Sequence, residues 1–170
     1  MRILGIDYGN SKVGLAITDP LGITAQGLET VMYGGNDKIL LKKLDEIMEK
    51  YEISTFVIGM PYNMDGTKTQ RAEVTEKFIH KLKCKYNKVK IETVDERLTT
   101  VAANKTMNFL DINKRKKRAI EDTIAAVYIL ETFMNKKAWE ILWNKISRAF
   151  YSRNSENDFL NKKMGKISQD

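Results

Sequence analysis

One cysteine, one histidine and two prolines are all that this 170-residue chain contains of those types. A single cysteine, Cys84, excludes a disulfide framework. A single histidine, His80, leaves no Cys/His zinc site and no Ser-His-Asp triad built on any other histidine. Any metal therefore has to be held by carboxylates. Cys84 stands in Lys83-Cys84-Lys85, where flanking charge favours the thiolate, and it reads as an inert residue near a helix end with His80 on the solvated side of the same helix. No apolar run reaches the roughly 18 residues of a membrane span, and the chain opens directly on a strand-like segment without the pattern of a signal or transit peptide. A cytoplasmic protein without a membrane partner is expected.

What is present is ordinary for one globular domain: 42% hydrophobic and 30% charged residues, with a net charge of +7. The excess positive charge suggests an anionic partner, and its distribution says more than its size. Residues 136–170 carry eight Lys/Arg against four Asp/Glu, and Lys114-Arg115-Lys116-Lys117-Arg118 forms a second cluster. Each is either a solvated helix or loop, or a track for a phosphate backbone.

Three strand-like segments come first, at 2–7, 12–18 and about 22–31, separated by turns at Gly9-Asn10 and Asp19-Pro20-Leu21-Gly22. Such short connections predict an antiparallel meander. Apolar residues at helical spacing predict a helix over 37–51, a strand follows at 54–58, a second helix at 68–83 and another strand at 89–94. Helices are expected at about 99–109 and 118–135. Alternation of strand and helix favours parallel pairing there, so the sheet should be mixed, in an α/β fold. Trp139, Leu142, Trp143, Ile146 and Phe150 place a stripe on a further helix over about 137–150, read as packed back on the domain or as a docking face for a partner or second copy. From 152 onward the chain reads as a flexible basic tail.

Four places bear on chemistry. Asp7 ends the apolar run Arg2-Ile3-Leu4-Gly5-Ile6, beside the turn Tyr8-Gly9-Asn10-Ser11-Lys12, where a carboxylate next to glycine and lysine suits a divalent cation held against a phosphate. The segment Gly59-Met60-Pro61-Tyr62-Asn63-Met64-Asp65-Gly66 follows a strand tip and precedes a helix, at the sheet edge where open α/β folds bind ligands; it is also a plain turn sequence. Val94-Asp95-Glu96-Arg97-Leu98-Thr99-Thr100 puts two acids after a strand and two hydroxyls at a helix start, although Thr99 or Thr100 serves equally as a cap and the acids as partners of Arg97. Glu121-Asp122 stands at the start of an apolar helix whose Ala125-Ala126 gives a thin surface for approaching the sheet, and acids there are also favoured by the helix dipole.

Asp7, Glu96 and Asp122 thus occupy two strand tips and one helix start that can converge. Three carboxylates, no useful histidine and a basic surface fit two-metal phosphodiester hydrolysis, with cations about 3.5–4 Å apart activating water and stabilising the leaving oxygen.

On Gly5-Ile6-Asp7-Tyr8-Gly9 with Gly14-Leu15-Ala16, Val57-Ile58-Gly59-Met60-Pro61 with Asn63-Met64-Asp65-Gly66, Val94 to Thr100, and Asp122 with Ala125-Ala126 and Ile129-Leu130, the chain resembles the YqgF/RuvX family of ribonuclease H-like nucleases. These blocks stand in the family's order and span residues 2 to about 134. The resemblance implies a ribonuclease H-like, mixed five-stranded sheet, antiparallel meander then parallel strands, flanked by helices. It also implies a metal-binding trio at Asp7, Glu96 and Asp122, and a loop carrying Asn63 near the substrate. Where the family usually has two basic residues after the first acid, this chain has Ser11-Lys12, leaving Lys12 alone to contact phosphate. The family also ends soon after the Ala125 helix, whereas about 35 residues follow here.

The resulting expectation is a nuclease domain over 1–136 with a helical and basic extension over 137–170. Asp7, Glu96 and Asp122 would hold Mg²⁺ or Mn²⁺, the hard ions that all-oxygen ligation suits. Lys12, Asn63, Arg97, Thr99, Lys116 and Arg118 would contact the nucleic acid. The family points to pre-16S rRNA maturation, hence to the ribosome as a partner, with branched DNA junctions the rival substrate. Monomer and homodimer are both compatible. Two other classes compete: an actin- or sugar-kinase-like phosphotransferase, for whose second lobe the chain has no room, and a non-catalytic RNA- or ribosome-binding module.

Overall fold

The computed structural model describes the backbone of residues 1–97 and 114–167, and the side chains of 1–97 and 121–148. Strands β1 (Arg2–Tyr8), β2 (Lys12–Thr18) and β3 (Ala25–Met32) are followed by helix α1 (Asp37–Lys50), strand β4 (Ile53–Met60), helix α2 (Gln70–Lys85), strand β5 (Lys90–Asp95) and helix α3 (Lys114–Ile167). The five strands form one sheet in the order β3-β2-β1-β4-β5. β1, β2 and β3 pair antiparallel, while β1–β4 and β4–β5 pair parallel. This is the mixed five-stranded sheet flanked by helices that was expected.

Local chemistry explains the boundaries. β3 begins at Ala25 rather than 22 because Asp19 accepts hydrogen bonds from the backbone N–H groups of Leu21, Ile23 and Thr24, while Gly22 takes φ +70°; together they hold 19–24 as a turn. Asn36 caps α1 by accepting from Lys38 N, and Thr69 caps α2 by accepting from Ala72 N, which starts α2 two residues later than the periodicity predicts.

The sheet has two unlike faces. Leu4, Ile6, Val13, Leu15, Ile17, Phe56 and Ile58 belong to a large buried cluster with Leu40, Leu44 and Ile47 of α1 and Phe78, Ile79 and Leu82 of α2. Because successive side chains in a strand alternate, Gly5, Asp7, Gly14, Ala16, Val57 and Gly59 point the other way. Ala16, Val57 and Val94 there join Ala126, Ile129, Leu130 and Phe133 of α3 in a smaller cluster.

The helices expected at 118–135 and 137–150, and the tail expected from 152, are instead one 54-residue helix. Between Lys114 and Ile167 there is no proline, and the lone glycine is Gly165. Without a breaker, polarity and a faded apolar period do not end a helix. The chain divides into compact units Met1–Met134 and Asn135–Asp170. In the second, Trp139, Leu142, Trp143 and Ile146 are all exposed. The helix expected at 99–109 lies outside the described residues.

Candidate active site

Asp7 lies on the glycine-bearing face and is flanked by glycine on both sides. Its antiparallel partner on β2 is Gly14. On β4, one residue past the Ile6–Ile58 pair, its neighbour is Gly59. Each glycine is the floor under another acid. A Cβ on Gly14 would stand 1.9 Å from the backbone carbonyl oxygen of Asp122. A Cβ on Gly59 would stand 2.5 Å from Glu96 Oε1 and 2.6 Å from Ile129 Cδ1. Real side chains do not approach so closely, so only glycine lets these groups in.

The approach of α3 is fixed at further points. A Cβ on Gly5 would stand 2.8 Å from the Ala126 carbonyl oxygen, and one on Gly27 2.4 Å from Thr123 Cγ2. The hydroxyls of Thr30 and Thr123 are hydrogen-bonded at 2.8 Å. Thr30 is the cross-strand partner of Gly14, so a polar clasp secures the helix one residue from Asp122. Glu96 is placed from the other side, through its backbone N–H donating to the Met60 carbonyl at 3.1 Å.

The electrostatics agree with the packing. Burial, with the charges of Glu96 and Asp122 adding to it and that of Arg71 opposing, raises the Asp7 carboxyl to about 7. Glu96 is also raised, chiefly by burial, again opposed by Arg71. Among the described residues no donor lies within hydrogen-bonding distance of Asp122 Oδ2; Lys12 Nζ, at the start of β2, is 3.9 Å away. Glu96 and Asp122 act on Asp7 through their charge, but the three are not gathered as a ligand set: among the described residues no three Asp, Glu, His or Cys side chains are grouped tightly enough to hold a metal ion. Mutual repulsion of like charges is the force a cation would remove. The donor set, all oxygen, suits a hard divalent ion, and Asp122 has an oxygen to offer.

Arg97 is engaged within the protein. Its guanidinium bonds both oxygens of Asp95, and its Nη1 donates to the carbonyls of Asn63 and Met64. It also lies over the Tyr62 ring at 5.9 Å. Of the alternatives for this segment, pairing of an acid with Arg97 is realised at Asp95, whose pKa is lowered by it. Arg97 thereby ties the loop carrying Asn63 to the end of β5. Asn63 itself is exposed, its Nδ2 donating to Thr67 Oγ1 at 2.8 Å. Thr99 lies outside the described residues, as do the side chains of Lys116 and Arg118. Sequence reasoning passed over Arg71. Its signal was position alone, the second residue of the helix that follows the Gly59–Gly66 loop. His80 and Cys84 are exposed on α2, with Cys84 Sγ 3.7 Å from His80 Nδ1, apart from this chemistry.

A family model described as "RuvX: Holliday junction resolvase" matches residues 1–136. A protein of Acetivibrio thermocellus named "Putative pre-16S rRNA nuclease" is 48% identical over 137 residues, 81% of this chain and 97% of that one. One of the same name from Ruminiclostridium cellulolyticum is 49% identical over 138 residues, 81% of this chain and 96% of its own. Among solved structures, the fowlpox virus Holliday junction resolvase aligns with a TM-score of 0.50 at 12% identity, over 80% of this chain and 99% of that one, which is a likeness of fold.

Proposed function

The chain belongs to the RuvX family, and from that membership we propose that it is a divalent-cation-dependent nuclease that hydrolyses pre-16S rRNA in ribosome biogenesis. The observation that carries the chemical part is the setting of Asp7, between two glycines, each the floor under another acid's residue.

Asp7, Glu96 and Asp122 would hold Mg²⁺ or Mn²⁺. Bound there, the cation supplies an activated water and neutralises charge developing at phosphorus. The protein contributes placement. The clasp between Thr30 and Thr123 holds Asp122 over β2, and the Met60 carbonyl holds Glu96 over β4. Lys12, 40% exposed and close to Asp122, is in position to meet a phosphate oxygen arriving at the acids. Arg97 acts as a positioning residue, fixing the Asn63 loop beside the sheet edge. The nuclease is carried by residues 1–136, and the helix beyond adds positive charge that draws in the phosphate backbone.

A second reading, cleavage of branched DNA, is favoured by the family description as a Holliday junction resolvase. The two separate in one assay. The full chain with Mn²⁺ is offered a pre-16S rRNA 5′ fragment, a four-way DNA junction and a linear duplex, beside Asp7→Asn. Cleavage of the RNA, lost in Asp7→Asn while RNA binding persists, is expected. Preferred cleavage of the junction selects the second reading. No cleavage of any substrate by the unaltered chain makes it a non-catalytic binder.

A further inference from the structure

Two arginines stand near the acids, and they are used oppositely. Arg97 is occupied by Asp95 and two loop carbonyls. Arg71, by contrast, makes a single long hydrogen bond among the described residues, from Nη2 to the Tyr8 carbonyl at 3.4 Å. A guanidinium has five N–H donors in a fixed fork, so most of its capacity is left over. Arg71 also lines a cavity of about 280 Å³, together with Asn10, Gln70 and Val74. Two side-chain amides stand there beside the cation, and Val74, 45% exposed, leaves the cavity open to solvent.

The position next to the acids is equally specific. Tyr8, whose carbonyl Arg71 touches, follows Asp7 directly, and the Arg71 charge acts on both Asp7 and Glu96. A cation held beside acids without a close ion pair to any of them is not consumed as their counter-ion. Planar, forked and weakly hydrated, arginine is the side chain best matched to a phosphodiester.

We propose that Arg71 and the cavity lined by Asn10, Gln70 and Val74 form a seat for a backbone phosphate of the nucleic-acid strand, adjoining the acid site. The proposal rests on the nuclease reading above and deepens it. Asn10 and Gln70 then bond the sugar–phosphate edge of the seated nucleotide.

Binding in EDTA, where no cleavage occurs, tests this on the full chain. The affinity for a pre-16S rRNA fragment is measured between about 50 and 200 mM salt for the unaltered protein, Arg71→Gln, Arg71→Lys and the charge-matched control Lys77→Gln, from an exposed residue of α2 outside the cavity. Arg71→Gln is expected to weaken binding about tenfold and to flatten the plot of log affinity against log salt by roughly 0.7–0.9, one phosphate contact. Arg71→Lys should restore the slope, and Lys77→Gln should leave it nearly unchanged. An Arg71→Gln slope equal to that of Lys77→Gln, whatever its melting temperature, overturns the phosphate seat while leaving the nuclease reading intact. Absence of binding and cleavage by the unaltered chain would instead sink that reading, and the seat with it.

Discussion

The two faces of the sheet are built from opposite materials. Toward α1 and α2 the strands present Leu4, Ile6, Leu15, Ile17, Phe56 and Ile58, all essentially buried. Toward α3 they present Gly5, Gly14, Ala16, Gly27 and Gly59, and at each of the four glycines a Cβ is excluded, by helix backbone at Gly5 and Gly14, by the Thr123 side chain at Gly27 and by the Glu96 and Ile129 side chains at Gly59. The first face stabilises by removing apolar surface from water, at about 25 cal/mol per Å². The second gives up side-chain volume so that the Asp122 backbone can lie over Gly14 and the Glu96 side chain over Gly59. Burying carboxylates costs free energy unless something offsets the charge, so this is the costlier of the two faces.

Substitutions on the two faces should therefore separate activity from stability. The largest effect is expected at Gly14→Ala, whose new Cβ meets the backbone at Asp122. The helix start must move, at roughly 1–3 kcal/mol, and misplacing Asp122 by even about 1 Å should lower cleavage on the order of 100-fold; cleavage rates beside a thermal melt give both numbers. Leu44→Ala, on the other face, should cost ~2–5 kcal/mol yet leave cleavage unchanged well below its melting temperature. If that variant instead loses activity in step with stability, the faces are not independent.

A third test uses pH. Asp7 binds its proton more tightly in the folded protein, with a pKa of about 7 against an ordinary 3.8. The cation-free fold should lose stability as pH rises through that window, by at most about 4 kcal/mol. Asp7→Asn removes the penalty, so in EDTA its melting temperature should exceed that of the unaltered chain at pH 8, and by much less at pH 4. Because a protonated Asp7 cannot act as a ligand, cation binding should weaken as pH falls below about 7. Smallest of all, Thr30→Val breaks the clasp to Thr123 and should cost about 1 kcal/mol, with a modest fall in cleavage.

The sequence made the large-residue face easy to read and the glycine face hard. Periodicity and turns placed every element from β1 to β5 within a few residues, because those signals are local. It also pointed to Asp7, Glu96 and Asp122, and Ala125-Ala126 announced a helix able to lie close; Ala126 is fully buried there. What places the acids on one face is non-local. The pairing of Asp7 with Gly14, and of Gly14 with Thr30, depends on strand register, which no single segment reveals. The same holds for the arginines, since Arg97 stands in a motif but is taken up by Asp95, while Arg71 stands in none. Beyond Met134 the faded apolar period misled, because helix length there follows the lack of breakers rather than amphipathicity.

Calorimetric titration of Mn²⁺ at pH 8 into the full chain and into Asp7→Asn, Glu96→Gln and Asp122→Asn tests most directly whether the glycine face assembles one site. A shared site predicts that every one of the three binds at least about tenfold more weakly than the unaltered chain. Any one of them binding Mn²⁺ as tightly as the unaltered protein would contradict it.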